Sequence, residues 1–203
     1  MITSISKQFL LFSVNRKSKL SSIKNHKELF VAICLMELLY KKYIIIKDKK
    51  VYIERELTNE VMHIKSLYDY IKNSKPLNEA AIIWRYVYSF SNKNFNELYN
   101  SVLFSLKVEG EASSKEDYYK SEKNRLVDEI KKYDSFSSEN DKSIIILSLC
   151  LLKGYLLKGH IDKKDISNLR KVLKKFKEEY YTKVIIEITK IDVATLLLSS
   201  ISI

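Results

Sequence analysis

The stretch from residue 28 to residue 43 constrains the fold of this chain more than any other part of the sequence. Its apolar residues fall at nearly every angle around a helix, and only Glu28 and Glu37 interrupt them before the lysines at its end. A helix that is apolar on all sides is one that other elements bury. We therefore predict a central helix over residues 28–43, with Glu37 as a carboxylate inside the core.

The hydrophobic pattern changes from a helical period to a strand period directly after this helix. Two short apolar runs, at 44–46 and 51–53, flank a polar turn at 47–50, and this arrangement predicts a β-hairpin. With three glycines and one proline in 203 residues, the rest of the chain has few helix breakers. We predict a mostly α protein, a single helical domain over 1–203 around a central apolar helix bundle, with a small β-hairpin near its N-terminus.

The remaining helices are expected from apolar stripes with helical spacing. Thr58 is a plausible N-cap of a helix that ends before Pro76, a second helix follows Pro76, and a third ends with Gly110 as its C′ residue. Residues 111–120 are polar and are expected to form a loop, while 8–14 is read as a strand or a short buried segment. The inward residues predicted for these helices are Val61, Ile64, Tyr68, Ile71, Ala80, Ile83, Trp84, Val87, Phe90, Phe95, Leu98, Val102, Leu106, Leu126, Ile130 and Tyr133.

The last third of the chain predicts two more helices of opposite character. A second very apolar helix is expected at 143–157, capped by Asp141 and lying in the core beside the first. Residues 165–180 predict an amphipathic helix whose lysines and Arg170 face outward, and 183–203 is apolar enough to pack in the bundle. The outward face suits anionic lipid or nucleic acid, although such a face is more often the solvated side of a bundle helix.

The chain carries 36 basic and 25 acidic residues, a formal net charge of +11. Only five of the basic residues are arginines, and arginine is the side chain whose fixed fork reads phosphate and base edges. The balance favours diffuse attraction to an anionic surface. No apolar stretch approaches the roughly 18 residues of a membrane span, and the N-terminus lacks the features of a secretory signal. We expect a cytoplasmic protein that is peripheral to a membrane.

The sequence shows no motif of catalysis or metal binding. Three glycines cannot build a phosphate-binding loop, and the three histidines are widely separated. His26 falls in a basic loop, His63 on a helix flank as an ordinary surface or interface histidine, and His160 at a helix end as a dipole partner. Glu37 is expected to bond backbone, arginine or tyrosine groups, because a catalytic carboxylate needs a second polar group beside it. We predict no enzyme, no cofactor and no metal. Buried thiols are expected at Cys34 and Cys150.

The polar segment that precedes the central helix is rich in cations. It leads to the N-terminal end of that helix, where free backbone N–H groups favour anions such as phosphate. A solvated, lysine-rich loop is the simpler alternative. The residues of this segment that are predicted to bind anionic lipid are Arg16, Lys17, Lys19, Lys24 and Lys27.

The order of these segments resembles the Golgi phosphoprotein 3 family. The stretches FLLFSVNRKSKL and LFVAICLMELLYKKYIIIKDKKVYIE are similar to that family's apolar segment, polar loop, helix and β-hairpin. VMHIKSLYDYIKNSKP, Trp84, LYNSVLFSLKVEG and IIILSLCLLKGYLL continue the likeness in order along nearly the whole chain. The resemblance implies a single, mostly helical domain bound peripherally to membranes. Eukaryotic members bind phosphatidylinositol 4-phosphate and the cytosolic tails of Golgi glycosyltransferases.

The lipid-contact positions of that family carry other residues in this chain. The family's tryptophan aligns near Ser22, its first phosphate-binding arginine near Val31, and its later arginine pair around Leu98 and Ser101. A valine cannot form charge-assisted bonds to phosphate. The resemblance therefore adds Lys107 to the predicted lipid-binding residues, and a less specific attraction is expected from Lys19, Lys24, Lys27 and Lys107. The family's oligomerising hairpin is shortened here to 111–117, which leaves the oligomeric state open.

The leading interpretation is a peripheral membrane protein that binds anionic lipid, with recognition of membrane-protein tails left open as a further role. The alternative is a protein-interaction module that lacks lipid binding. A basic helical nucleic-acid binder is a third hypothesis, which the scarcity of arginine disfavours. No nucleic-acid partner is therefore predicted.

Overall fold

Helices make up most of this protein, and the described residues contain one sheet, which consists of two antiparallel strands. The structure is a computed structural model that describes residues 2–14, 26–111, 115–137, 141–176, 179 and 183–185. The predicted fold class, mostly α with a small hairpin near the N-terminus, is confirmed. The elements are α1 (Ile5–Ser13), α2 (His26–Tyr40), β1 (Ile44–Lys47), β2 (Lys50–Ile53), α3 (Lys65–Asn73), α4 (Glu79–Val87), α5 (Lys93–Glu111), α6 (Lys115–Lys131), α7 (Lys142–Lys153) and α8 (Lys163–Leu173), with 3-10 turns at Asn59–Ile64, Phe90–Asn92, Tyr133–Ser135 and Lys174–Phe176.

The central helix α2 is enclosed, as its all-round apolarity predicts. Every residue from 29 to 38 is buried, and α1, α4 and α7 pack around it. The helix ends at Tyr40, earlier than predicted, because Lys42 adopts the left-handed conformation with φ of 59°. The Tyr43 N–H then donates back to the Leu38 carbonyl at 2.9 Å, and the Lys42 N–H to the Leu39 carbonyl at 3.0 Å. This is the bond pattern of a Schellman C-cap.

The predicted hairpin is confirmed, and its turn explains its register. Ile44 lies opposite Ile53, and Lys47 lies opposite Lys50. Asp48 and Lys49 between the strands have φ of 49° and 58°. Two successive positive φ values give the mirror-type turn whose twist matches that of the paired strands. The hairpin packs against α2 and α3.

Residues 8–14 do not form a strand, so that alternative is wrong and the alternative of a short buried segment is right. Most of this stretch belongs to α1, in which every residue is buried. Ser4 caps the helix by accepting a hydrogen bond from the Lys7 N–H at 3.3 Å. A segment that is buried on all sides shows neither the helical nor the strand period of apolar residues, so its sequence does not decide between the two. In the core the helix has the advantage that it satisfies its own backbone hydrogen-bonding groups.

The loop predicted at 111–120 is wrong for its described residues, because α5 runs through to Glu111 and α6 begins at Lys115. Gly110 is therefore inside α5 and is not a C′ residue. A Cβ atom at this position would lie 2.7 Å from the hydroxyl oxygen of Tyr119 on α6. Glycine thus allows the two helices to approach each other. The described residues of the shortened hairpin at 111–117 are helical, and 112–114 lie outside the described residues.

Most of the predicted inward residues are buried, but α4 turns a different face to the core. Ala80 and Trp84 are half-buried, whereas Ile82 and Tyr86, which were not among the predicted inward residues, are buried. The side chain of Phe90 lies outside the described set. The confirmed inward residues are Val61, Ile64, Tyr68, Ile71, Ile83, Val87, Phe95, Leu98, Val102, Leu106, Leu126, Ile130 and Tyr133.

Neither of the two predicted N-cap side chains, Thr58 and Asp141, caps a helix. Thr58 precedes the 3-10 turn Asn59–Ile64 without a capping bond, and its hydroxyl lies 2.5 Å from that of Tyr43. Asp141 precedes α7, but its carboxylate accepts a hydrogen bond at 2.8 Å from the N–H of Ser137, four residues earlier in the chain. Both side chains therefore fasten loops instead of helix ends.

The second apolar helix, α7, lies beside α1 and α2, as predicted, and ends at Lys153 before Gly154. Cys34 and Cys150 are buried free thiols, and burial raises the pKa of each. The amphipathic helix at 165–180 is confirmed as far as Leu173, where a 3-10 turn follows. Of 183–203, only 183–185 are described, and Val184 and Ile185 are buried. Within the described ranges, no helix combines the length and apolarity needed to cross a bilayer.

Candidate functional site

Only two of the six cations predicted to bind lipid are in the described part of the chain, and the structure does not bring these two together. Arg16, Lys17, Lys19 and Lys24 lie outside the described residues. Lys27 is exposed at the start of α2, where its Nζ lies 5.1 Å from the centre of the Phe95 ring on α5. Lys107 is exposed twelve residues further along α5, which is about 18 Å at 1.5 Å per residue. A single lipid head group does not span that separation.

Two of the three positions near which the resemblance places arginines are in the core. Val31 and Leu98 are each 0% exposed, and Ser101 is half-buried. Ser22 lies outside the described residues. Val31 and Leu98 serve the core in this chain, so the family's lipid contacts cannot be carried over to them.

A buried polar cluster surrounds Glu37 and joins three elements. Oε2 of Glu37 accepts hydrogen bonds from the Ser6 N–H at 2.9 Å and from the Ser4 hydroxyl at 3.0 Å. Nε2 of His63 lies 2.9 Å from the Ser4 Oγ and 3.2 Å from the Ser6 Oγ. All four side chains are buried. The prediction of His63 as a surface or interface histidine is therefore wrong.

The direction of these hydrogen bonds decides what the cluster does. The Ser4 hydroxyl has one proton and donates it to Glu37, so Nε2 of His63 has to donate to Ser4. In a nucleophilic triad the ring nitrogen instead accepts the serine proton. The cluster therefore fastens α1 to α2 and to the turn Asn59–Ile64, and it does not activate Ser4.

The two other histidines also differ from their predicted roles. His26 is buried in the first turn of α2, not in a loop, and its Nε2 donates to the Gly154 carbonyl at 2.9 Å. His160 lies in the turn after α7, with its ring edge-on to that of Phe12 at 5.4 Å. Its pKa is lowered by burial and by the nearby charge of Lys123. Among the residues that the structure describes, no group of His, Cys, Asp and Glu is arranged to hold a metal ion.

One candidate for a binding site in the described part of the chain is a groove between the end of α7 and α8, which we call the α7–α8 groove. Its volume is about 330 Å³, and most of its surface is apolar. It is lined by Leu152, Tyr155, Leu157, Lys158, Lys163, Ile166, Ser167 and Arg170.

The turn from 154 to 161 shapes one wall of this groove. Gly154 ends α7 by donating its N–H to the Cys150 carbonyl at 2.9 Å, and the Leu156 N–H bonds to the Leu151 carbonyl at 2.8 Å. Tyr155 between them has φ of 56° and stands 67% exposed. Asp162 then caps α8 by accepting from the Asp165 N–H at 2.7 Å. These bonds fix where α7 ends and where α8 begins.

The rim of the groove is cationic. Lys158, Lys163 and Arg170 are exposed, and no carboxylate in the described ranges lies within ion-pair distance of them. Residues 158–176 include seven basic and two acidic residues. Both acids already have partners: Asp162 in the cap and Asp165 with the Tyr133 hydroxyl at 3.1 Å. Because the basic residues outnumber the acidic ones, the net charge of this face is positive.

The sequence indicated part of this site. The amphipathic pattern at 165–180 predicted an outward cationic face, and Arg170, Lys171, Lys174 and Lys175 are exposed. The groove itself was missed, because its apolar floor combines α7, the turn and α8. The signal that could have revealed it is the pair Gly154 and Gly159, which bracket a turn with two leucines.

Comparisons of this chain with protein-family models, with curated proteins and with solved structures found no match. The resemblance to the Golgi phosphoprotein 3 family therefore stays a prediction that depends on the order of segments in the sequence.

Proposed function

We propose that this protein binds peripherally to anionic membrane lipid through the α7–α8 groove and the adjoining cationic face of α8. The observation that carries the proposal is an apolar floor inside a rim of cations without carboxylate partners in the described chain. An anionic membrane offers the complementary pair, negative head groups above hydrocarbon. The proposal keeps the predicted function class and moves its described site from Lys27 and Lys107 to α8.

The number of cations supports weak, salt-sensitive binding. Near an anionic surface each lysine or arginine contributes about 1 kcal/mol. Seven such side chains are exposed on the rim, on α8 and on the turn that follows it. Six of them are lysines, which act as point charges and do not select a particular head group. We therefore propose attraction to anionic lipid in general, at the cytoplasmic leaflet. The seven are Lys158, Lys163, Lys164, Arg170, Lys171, Lys174 and Lys175.

Vesicle co-sedimentation tests the proposal, with and without an anionic phospholipid in a phosphatidylcholine background. The protein is expected to sediment only with anionic vesicles and to be released by salt. In the double variant Arg170→Gln/Lys174→Gln, loss of two charges should weaken binding by about 2 kcal/mol, roughly thirtyfold. Sedimentation that is indifferent to anionic lipid at low salt would overturn the proposal.

The matched control removes the same charge from the hairpin. Lys47 and Lys50 are exposed and face each other across β1 and β2, so their replacement by glutamine removes a like-charge pair without loss of a contact. This variant is expected to bind anionic vesicles almost as well as the wild type. Equal weakening by both double variants would mean that overall charge, not the α8 face, governs binding.

The alternative function, a protein-interaction module, is favoured by a separate observation. Phe104 and Val108 lie one helical turn apart on α5 and are 69% and 50% exposed. A contiguous exposed apolar patch can mark a protein-binding surface. Under this alternative, immobilised cytosolic tails of membrane proteins retain the wild type, and Phe104→Ser/Val108→Ser abolishes retention. Vesicle binding would then be unchanged in the same variant.

A further inference from the structure

We infer that the α7–α8 groove takes up one hydrocarbon chain of an anionic membrane lipid while the cations on its rim hold the head group. The inference depends on the proposed membrane binding and adds the part of the lipid that enters the protein. An attraction between charges alone does not account for an apolar floor beneath the cations. An amphiphile, which has both an anionic and an apolar part, accounts for both.

The floor has the composition and size for one chain. Leu157 is buried, and Leu152 and Ile166 are half-buried, so their apolar surface forms the base of the groove. The volume of about 330 Å³ is at the lower end of the roughly 300–1,000 Å³ that small-molecule pockets occupy. This size suits a single chain and leaves the second chain of a phospholipid in the bilayer.

The rim places positive charge on both sides of that floor. Lys163 is three residues before Ile166 on α8, and Arg170 is four residues after it. Residues three and four apart share one face of a helix, so both cations flank the same apolar side chain. Lys158 lies on the opposite wall, in the turn after α7. A phosphate at the mouth of the groove would therefore meet cations from two walls.

Tyr155 supplies an independent indication that the mouth of the groove faces a membrane interface. The residue keeps φ of 56°, a left-handed conformation that is uncommon for an aromatic residue, and its side chain is 67% exposed. Backbone bonds on either side hold this turn. Tyrosine concentrates at the level of the head groups, where its ring contacts hydrocarbon and its hydroxyl contacts water. We assign Tyr155 to that level.

The test uses the full chain with ¹³C-labelled isoleucine and leucine methyl groups and dodecyl phosphate, below the concentration at which it forms micelles, as the probe. Methyl signals of Leu152, Leu157 and Ile166 are expected to shift on titration. Inorganic phosphate and dodecyltrimethylammonium are expected to leave those signals in place, because each supplies only one of the two required parts. Absence of shifts with dodecyl phosphate would overturn the inference.

A groove-filling variant gives the second measurement. Ser167 is exposed and lines the groove, so Ser167→Trp occupies it without a change of charge. We expect dodecyl phosphate to bind this variant about tenfold more weakly. Ser121→Trp, at an exposed position of α6, is the matched control and should leave the affinity unchanged. Equal affinity in Ser167→Trp and the wild type would contradict the inference.

Vesicle co-sedimentation of the same samples separates the inference from the proposed function. Sedimentation with anionic vesicles but no methyl shifts with dodecyl phosphate overturns chain uptake and leaves the proposed function standing. Methyl shifts without sedimentation overturn both statements, because the occupant would then be a free amphiphile and not a membrane lipid. The inference is supported if the methyl shifts and the sedimentation both weaken in Ser167→Trp. In Ser121→Trp both should stay as they are in the wild type.

Discussion

Oε1 of Glu37 lies 3.8 Å from Nε2 of His63, with both side chains buried and with no hydrogen bond to that oxygen from the described residues. Burial by itself raises the pKa of Glu37. The neighbouring His63 and the hydrogen bonds from Ser6 outweigh it and hold the pKa below its ordinary value. The fold therefore stabilises a charged carboxylate at the centre of the protein.

The first prediction concerns acid stability. Because the pKa of Glu37 is lower in the folded state than in the unfolded state, its stabilisation is complete above the ordinary value of about 4.3 and is lost as the pH falls through the folded-state pKa. Glu37→Gln should therefore flatten the fall of the unfolding free energy below about pH 4.3. Urea unfolding at a series of pH values measures this slope.

A surface variant controls for the loss of one negative charge. Glu54 is exposed at the end of the hairpin, so Glu54→Gln changes the net charge equally but leaves the core intact. We expect the acid slope of Glu54→Gln to stay closer to that of the wild type. An acid slope in Glu37→Gln that matches the wild type would contradict our account of the cluster.

The second prediction concerns the coupling between His63 and Glu37. His63→Ala removes the Nε2 donor from Ser4 and Ser6 and leaves the carboxylate buried, at an expected cost of about 1–3 kcal/mol. In a Glu37→Gln background the same change should cost less, since no buried charge is left behind. Unfolding free energies of the two single variants and the double variant give the coupling. Strict additivity would show that the two side chains act independently.

The central helix and the hairpin could be predicted because their signals are local. The all-round apolarity of α2 and the polar turn between 44–46 and 51–53 are each contained in fewer than 20 consecutive residues. The first half of α6 is polar, and polar residues are typical of a loop. The sequence therefore predicts a loop there, although the chain is helical. Glu122 explains the helix there: it is buried, accepts from the Ile2 N–H at 3.0 Å and pairs with Arg125 on the next turn at the same distance.

The candidate sites were harder to predict because their residues meet only in three dimensions. Ser4 and Ser6 are 59 and 57 residues from His63 along the chain, so no spacing rule relates them. Glu37 was expected to be buried, but its partners could not be named from the sequence. The α7–α8 groove is lined by residues of α7, of the turn after it and of α8, so it depends on how the two helices pack. Sequence patterns give the face of a helix, not its position against its neighbour.

The third prediction concerns Gly110, where α5 and α6 approach each other. Alanine in place of glycine inside a helix is worth up to about 1 kcal/mol. Here the new Cβ would lie 2.8 Å from the ring carbon Cζ of Tyr119, so the ring has to move. The Tyr119 hydroxyl donates a hydrogen bond of 3.2 Å to the Leu106 carbonyl, and this movement breaks that bond. Gly110→Ala should therefore bring no gain in unfolding free energy.

A double-variant cycle makes this prediction specific. Tyr119→Phe should cost about 0.5–1.5 kcal/mol in the wild type, because it removes the hydrogen bond to Leu106. In the Gly110→Ala background it should cost less, since the bond to Leu106 is already broken. Urea unfolding of the four proteins measures the difference. The same cost of Tyr119→Phe in both backgrounds would show that the ring accommodates the methyl group without moving.

The last prediction separates the two accounts of Val31. The resemblance places a phosphate-binding arginine near this position, whereas the structure puts Val31 inside α2 at 0% exposure. An arginine there would bring a long charged side chain into a core without an acidic partner, at a cost of several kcal/mol. Val31→Arg should therefore lose its thermal transition and gain no vesicle binding. Ser121→Arg is the matched control, because Ser121 is exposed on α6 and is at none of the positions near which the resemblance places an arginine. A folded Val31→Arg protein that binds anionic vesicles more tightly would refute the buried position and favour the family's lipid site.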